Sequence, residues 1–244
     1  MRDKHEFTVL IIGDSISLGI AEIRGTEIIG KVSRCYVDIL RVEFPETKFI
    51  VNADIHRTTA DALEIIDALL QQHQPGAVLV MLGGNDADLM WKRFVISNGK
   101  IVQNRISVER YAINLTRIAQ KVIAAGALPI LSDMPNHALK IRGRYLSQLS
   151  GRDVVGIIER HGGQPVSDRG LEQYRQAAAN VAVAMHCPFV RYGTALSHWP
   201  LESVTGPDGV HPNSDAHEII AEELWPAIQL VMDQFRTPEI RSKA

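Results

Sequence analysis

The stretch Thr8–Gly19 reads TVLIIGDSISLG, and its reading decides the fold. Thr8 through Ile12 are all apolar or β-branched, and they run straight into Gly13-Asp14-Ser15. An apolar run of that length bounded by a glycine turn predicts a strand buried on both faces. The residues after it are compatible with a helix. Ser15 then has two readings. It is either a helix N-cap, a position serine favours, or a nucleophile held at the carboxyl end of a strand.

Similar short runs recur along the chain. Strands are predicted at 7–12, 48–52 (KFIVN), 77–82 (AVLVML), 127–132 (ALPILS) and 187–192 (CPFVRY). Helical patterns lie between them. In 27–44, Ile28, Ile29, Val32, Cys35, Tyr36, Ile39 and Leu40 recur at three-to-four spacing. The segment 59–73 repeats this with Leu63, Ile66, Leu69 and Leu70 before Pro75, and 107–125 ends at Gly126. Further helices are expected over 168–186 and 214–235. Strand and helix in alternation predict an α/β fold with right-handed crossovers. The expected architecture is one domain over residues 1–244: a three-layer α/β/α sandwich with a five-stranded parallel sheet in the flavodoxin-like order 2-1-3-4-5.

Two segments fall outside that plan. Residues 93–103, RFVISNGKIVQ, place Asn98-Gly99 between apolar runs and predict a hairpin. Residues 135–168 form a long glycine-containing insertion. Both are expected to wall or cover a site.

The bulk composition narrows the function. Hydrophobic residues make up 45% and charged residues 22%, enough for a substantial core. The net charge of −2 gives no field that would attract nucleic acid or an anionic membrane. No apolar run approaches the ~20 residues that span a bilayer. The N-terminal run reads as the first strand of a cytoplasmic protein rather than a leader. Cys35 and Cys187 fall in no CxxC pair and read as buried thiols, with a disulfide as the alternative.

In an open α/β sheet, ligands bind beyond the carboxyl ends of the strands. Ser15 follows strand 1, Arg57 lies after strand 2 and Asn85 follows strand 3 in MLGGNDADL. Asp208 and His211, in GPDGVHPN, follow strand 5. A serine hydroxyl needs a base, histidine suits that role, and a carboxylate fixes the imidazole tautomer. Asp208 lies three residues before His211 in a turn with Gly209, within plausible reach of the ring. The Asn85 amide and the Ser15 backbone N–H could serve as oxyanion donors.

GDS at 13–15, GGND at 83–86 and DGVHPN at 208–213 occur in that order, and the pattern resembles the SGNH, or GDSL, hydrolase family over roughly residues 8–230. The resemblance implies a serine esterase with Ser15 as nucleophile and Asp208 and His211 completing a triad. It implies Asn85 and a second-block glycine as oxyanion donors, and no metal or organic cofactor. The chain departs from the family in that block, Asn52-Ala-Asp-Ile-His-Arg57, where Arg57 fills the glycine slot. The Arg57 backbone N–H could still donate, and its side chain would bring a cation to the site. NADI and QHQPGAVLVMLGGND are most similar to the bacterial thioesterase and lysophospholipase-like branch.

Small-molecule or glycan acyl esters are the implied substrates. Asp14, His56, Trp91 and Arg142 are candidate substrate contacts, with Asp14 also a candidate to tie the serine turn. Lys140, Arg142 and Arg144 read either as an anion-binding edge or as a solvated loop. His217, with His211 and Asp215, would be a metal cluster only with a further ligand that the sequence does not supply. His137, His161, His186 and His198 read as surface or structurally satisfied residues. An O-acyltransferase with the same triad and a non-catalytic binding module, favoured by Arg57, are the alternatives.

Overall fold

The computed structural model describes residues 7–236 apart from 24, 25 and 27. The charged start of the chain and the first residue of the helix expected over 27–44 lie outside the described residues.

Strand β1 (Phe7–Gly13) is followed by an antiparallel ribbon, β2 (Ile20–Glu22) and β3 (Ile29–Lys31), and by α1 (Tyr36–Glu43). Then come β4 (Thr47–Ala53), α2 (Thr59–His73) and β5 (Ala77–Met81). Two short helices, α3 (Gly84–Ala87) and α4 (Trp91–Ile96), lead to α5 (Val108–Ala124) and β6 (Leu128–Ser132). Three helices follow in succession, α6 (Leu139–Ser150), α7 (Val154–Arg160) and α8 (Gly163–Ala184), before β7 (Phe189–Val190). The chain closes with α9 (Tyr192–Leu196), α10 (Leu201–Val204) and α11 (Ser214–Arg236).

The main sheet runs β4-β1-β5-β6-β7 with every pairing parallel, which is the predicted order 2-1-3-4-5. Side chains alternate across a strand, so β1 feeds two cores. Val9 and Ile11 pack with Tyr36 and Leu40 of α1 and with Ile220, Leu224 and Ile228 of α11. Leu10 and Ile12 pack with Ile66 of α2, Leu115 and Ile118 of α5, and Tyr174 and Ala178 of α8. Burial on both faces is why the strand reads as an unbroken apolar run. Polar side chains satisfy free N–H groups at the starts of the long helices α2 and α5. Thr58 and Asp61 form a reciprocal capping box at α2, and Ser107 accepts from the Arg110 N–H at α5.

Four local expectations need correction. The helix expected over 27–44 begins only at Tyr36, because residues 29–31 pair with 20–22 in the ribbon. No helix follows Ser15; residues 15–19 form a tight turn. The strand expected over 187–192 narrows to Phe189 and Val190, since the sheet edge offers pairing only at Leu131 and Ser132. The hairpin expected over 93–103 is a helix end. Asn98 (φ 53°) and Gly99 (φ 81°) adopt the left-handed conformation that makes Asn-Gly a hairpin signal, but here it terminates α4. The Gly99 N–H donates to the Phe94 carbonyl at 2.8 Å.

The 135–168 segment is mainly helical, carrying α6, α7 and the start of α8. Trp91 and Phe94 of α4 pack with Leu139 of α6 and with Val154, Ile157 and Ile158 of α7 in a third, smaller core. No described helix is long and apolar enough to cross a membrane.

Candidate active site

Ser15 sits where β1 ends. Asp14 Oδ1 accepts the Ile16 N–H at 3.0 Å, the Leu18 N–H donates to the Asp14 carbonyl, and the Ile20 N–H donates to the Ser15 carbonyl. These bonds fold the turn tightly behind the hydroxyl. Ser17, on the same turn, accepts the buried Tyr36 hydroxyl at 2.8 Å. Since no helix starts here, Ser15 has no N-cap work to do.

The loop before α11 carries Asp208 and His211. Asp208 Oδ1 accepts the backbone N–H groups of Val210 (3.1 Å) and His211 (3.0 Å), which curls the loop around the carboxylate. Its other oxygen, Oδ2, lies 2.7 Å from His211 Nδ1, and His211 Nε2 lies 2.9 Å from Ser15 Oγ. Asp208, His211 and Ser15 therefore form one hydrogen-bonded line. Burial pushes the Asp208 carboxyl up, but its bonds to His211 and the imidazole charge outweigh that and hold it below its ordinary value. An ionised Asp208 fixes the proton on Nδ1 and leaves the Nε2 lone pair facing Ser15.

Asn85 opens on the same cleft from α3. Its amide donates to Asp14 Oδ2 at 3.1 Å, so Asp14 holds both the serine turn and this side chain. An amide nitrogen carries two N–H groups, and one remains available. Burial raises the Asp14 carboxyl to about 6. Asp86 is turned away: it accepts from the Thr59 N–H and hydroxyl, tying α3 to the start of α2.

The cleft has a volume of about 300 Å³ and is lined by Asp14, Ser15, Asn85, Asp208 and His211 together with His56 and Arg142. Arg142 of α6 donates to the Asp208 carbonyl (3.4 Å) and lies over the rings of Trp91 and Tyr145. Arg57 is placed differently from the expectation. Its guanidinium donates back to the Asn52 carbonyl (2.7 Å) and Asn52 Oδ1 (2.8 Å), and its N–H donates to the Asp54 carbonyl (3.3 Å). Both its side chain and its backbone donor serve the loop, and His56 faces the cleft instead. The left-handed conformation falls on His56 (φ 65°), one residue before the glycine slot. Trp91 is also displaced: it donates its indole N–H to Asp88 (2.7 Å) and lines a neighbouring cavity rather than the cleft.

Lys140 and Arg144 do not line the cleft with Arg142. His217 is buried, stacks on Tyr36 and accepts its N–H, and desolvation lowers its imidazole to about 4. Cys35 and Cys187 are both free thiols.

Two features escaped the sequence reading. Asp133, at the carboxyl end of β6, accepts the N–H groups of Gly193 and Thr194 and the Thr194 hydroxyl, all within 2.9 Å. It pins α9 against the segment Met134-Pro135, which lines the cleft. The signal was its position, since β6 was the strand end to which no polar residue had been assigned. His137, read as a surface or satisfied residue, is buried and forms part of the cleft wall.

A family model described as the GDSL-like lipase/acylhydrolase family matches residues 11–219. The chain is 27% identical over 224 residues to the thioesterase 1/protease 1/lysophospholipase L1 of Escherichia coli K12, covering 91% of this chain and 83% of that protein. It is 25% identical over 229 residues to the esterase TesA of Pseudomonas aeruginosa, covering 91% and 88%. Among solved structures, a lipase/acylhydrolase from Enterococcus faecalis superposes with a TM-score of 0.64 at 18% identity, covering 94% of this chain and 95% of that one. A catalytic mutant of an acetylxylan esterase from Geobacillus stearothermophilus gives 0.64 at 20% identity, covering 93% and 96%. The chain therefore belongs to the GDSL-like lipase/acylhydrolase family and is an ester hydrolase of the GDSL type.

Proposed function

We propose that the protein hydrolyses small-molecule or glycan acyl esters through an acyl-enzyme on Ser15. The observation that carries this reading is the line from Asp208 through His211 to Ser15, with its contacts of 2.7 and 2.9 Å. His211 Nε2 takes the Ser15 proton as Oγ attacks the ester carbonyl carbon. The carbonyl oxygen becomes an oxyanion, met by the Ser15 N–H and the free N–H of Asn85. Asp14 aims that amide by accepting its other hydrogen. Asp208 stabilises the imidazolium until its proton passes to the departing alcohol oxygen. A water deprotonated by His211 then attacks the acyl-enzyme, releasing the acid and restoring Ser15. Arg57 drops out of the oxyanion set, because its N–H is committed to Asp54.

The relatives support acyl transfer to water from both oxygen and sulfur esters, since the Escherichia coli protein is named a thioesterase and lysophospholipase. Hydrolysis of p-nitrophenyl acetate by the native chain, Ser15→Ala and His211→Ala tests the reading. Activity in the native chain is expected, with a loss of at least 10³ in each variant. A fluorophosphonate should label the native chain and leave Ser15→Ala unlabelled. An active Ser15→Ala variant would overturn the assignment.

A further inference from the structure

Arg142 brings to the cleft a charge that no carboxylate balances among the described residues. The three acids that line the same cleft are all engaged. Asp208 faces His211 at 2.7 Å, and Asp88 lies 3.6 Å from the Arg105 guanidinium. Asp14 accepts from the Ile16 N–H and the Asn85 amide. Arg142 forms no ion pair with any of them. Its guanidinium donates one bond, to the Asp208 carbonyl at 3.4 Å, and its buried Nε has no hydrogen-bond partner. Charges withdrawn from water are ordinarily paired, because desolvation is costly. Burial holds the neighbouring His137 imidazole below its ordinary value, so that ring is neutral at neutral pH and adds no charge.

The side chain is nonetheless held in place. Helix α6 is seated on the loop that carries Asp208 and His211: the Ala138 N–H donates to the Gly209 carbonyl at 2.8 Å. The fit is tight enough that a Cβ on Gly209 would come within 2.4 Å of the Arg142 backbone nitrogen. The guanidinium lies 5.8 Å from the Trp91 ring centroid and 5.7 Å from that of Tyr145. Ring contacts hold a planar guanidinium without consuming its N–H groups, and that plane matches the geometry of a carboxylate. Ser15 and Arg142 line one cleft of about 300 Å³, so a short molecule spans both. We propose that Arg142 binds a carboxylate carried by the ester substrate, a few bonds from the carbonyl that Ser15 attacks. One unpaired cation balances one negative charge, whereas a dianion would leave a second beside Asp14 and Asp208. The proposal rests on the ester-hydrolase reading and narrows its substrate class to short esters with a free carboxylate.

The carboxylate can sit on the acyl half or on the alcohol half of the ester, and two substrate pairs separate them. Mono-p-nitrophenyl glutarate against p-nitrophenyl pentanoate charges the acyl half. Acetate esters of 3-carboxyphenol and phenol charge the alcohol half. The measurement is kcat/KM, divided by each ester's rate with hydroxide, for the native chain, Arg142→Gln and Arg142→Met. Arg142→Gln keeps a donor for the Asp208 carbonyl and removes the charge; Arg142→Met removes both. In one pair the native chain should favour the charged ester. Each variant should cut that charged-to-neutral ratio at least tenfold (about 1.4 kcal/mol). A general loss through the Asp208 loop lowers both esters alike and cancels in the ratio.

A native chain that favours the neutral ester in both pairs overturns the proposal, whether or not the variants fold. So does a ratio that moves less than tenfold in a folded variant, which would leave Arg142 as a brace for the Asp208 loop. Hydrolysis of the neutral esters with either of these results leaves the ester-hydrolase reading standing and removes this one. If no ester is hydrolysed, that reading fails, and calorimetric titration with glutarate decides the carboxylate site by itself. Heat in the native chain that Arg142→Gln loses supports the site. No heat, or heat that the variant keeps, refutes it.

Discussion

Replacing Asp208 by Asn separates the electrostatic role of the carboxylate from its role in shaping the loop. Oδ1 accepts the N–H groups of Val210 and His211, and the Asn carbonyl oxygen can keep both bonds. The amide nitrogen must then take the place of Oδ2, 2.7 Å from His211 Nδ1. A donor facing Nδ1 selects the tautomer with its proton on Nε2, which points at Ser15 Oγ and cannot accept a proton from it. The imidazolium also loses its counter-charge. The equivalent exchange in a serine protease triad costs roughly 10⁴ in kcat. Here the His211 side chain is 18% exposed, so water partly solvates the imidazolium. The expected loss is therefore nearer 10³, or about 4 kcal/mol of transition-state stabilisation. The assay is kcat on p-nitrophenyl acetate beside the rate of fluorophosphonate labelling, with circular dichroism as the check on folding. Both rates should fall together while KM stays within threefold. A loss smaller than tenfold in a folded variant, or one confined to KM, would refute the reasoning.

Three further outcomes follow from the same geometry. Burial raises Asp14 to about 6, so the folded state holds its proton more tightly than the unfolded state does, and wild-type stability falls as pH rises between roughly 4 and 6. Asp14→Asn lacks this term, and its stability relative to wild type should drop by about 3 kcal/mol on going from pH 7 to below pH 4. Urea denaturation at both pH values reads the change, and a constant difference would contradict it. Arg57→Ala should lose about 1–2 kcal/mol of stability, by removing the bonds to Asn52, while kcat stays within threefold. A large kcat loss at unchanged stability would mean that the guanidinium serves the substrate. Gln74 ends α2 in the left-handed conformation (φ 42°), and Gln74→Gly should stabilise by about 1 kcal/mol, seen as a higher denaturation midpoint.

The sheet was legible because its strands are covered on both faces, which leaves uninterrupted runs such as Thr8–Ile12 and Ala77–Leu82. Ser15, Asn85, Asp208 and His211 were legible because each sits directly behind a strand or before the last helix. The ribbon at 20–31 was not, since Ile28, Ile29 and Val32 satisfy helical spacing and strand propensity alike, and pairing across the turn decides between them. Gly143 is one of the glycines of the 135–168 insertion. It lies inside α6, where an added Cβ would come within 3.1 Å of Val155 and Ile158, so it marks close helix packing. That Asp88 and His137 share a wall of the cleft had no sequence signal, because they lie 49 positions apart and only the folded chain brings them together.

Ser15 and His211 are bonded across 196 positions of sequence. The hydroxyl is supplied by the first strand, and the imidazole arrives with the loop that α11 anchors through Ile220, Leu224 and Ile228 against the sheet. In a growing chain the proposed nucleophile precedes its base and stays unactivated until the segment carrying Asp208 and His211 has followed it. On the proposed mechanism, Ser15 gains its base only when α11 docks and seats the loop that carries His211. A chain cut before Asp208 would carry a serine as inert as any in solution.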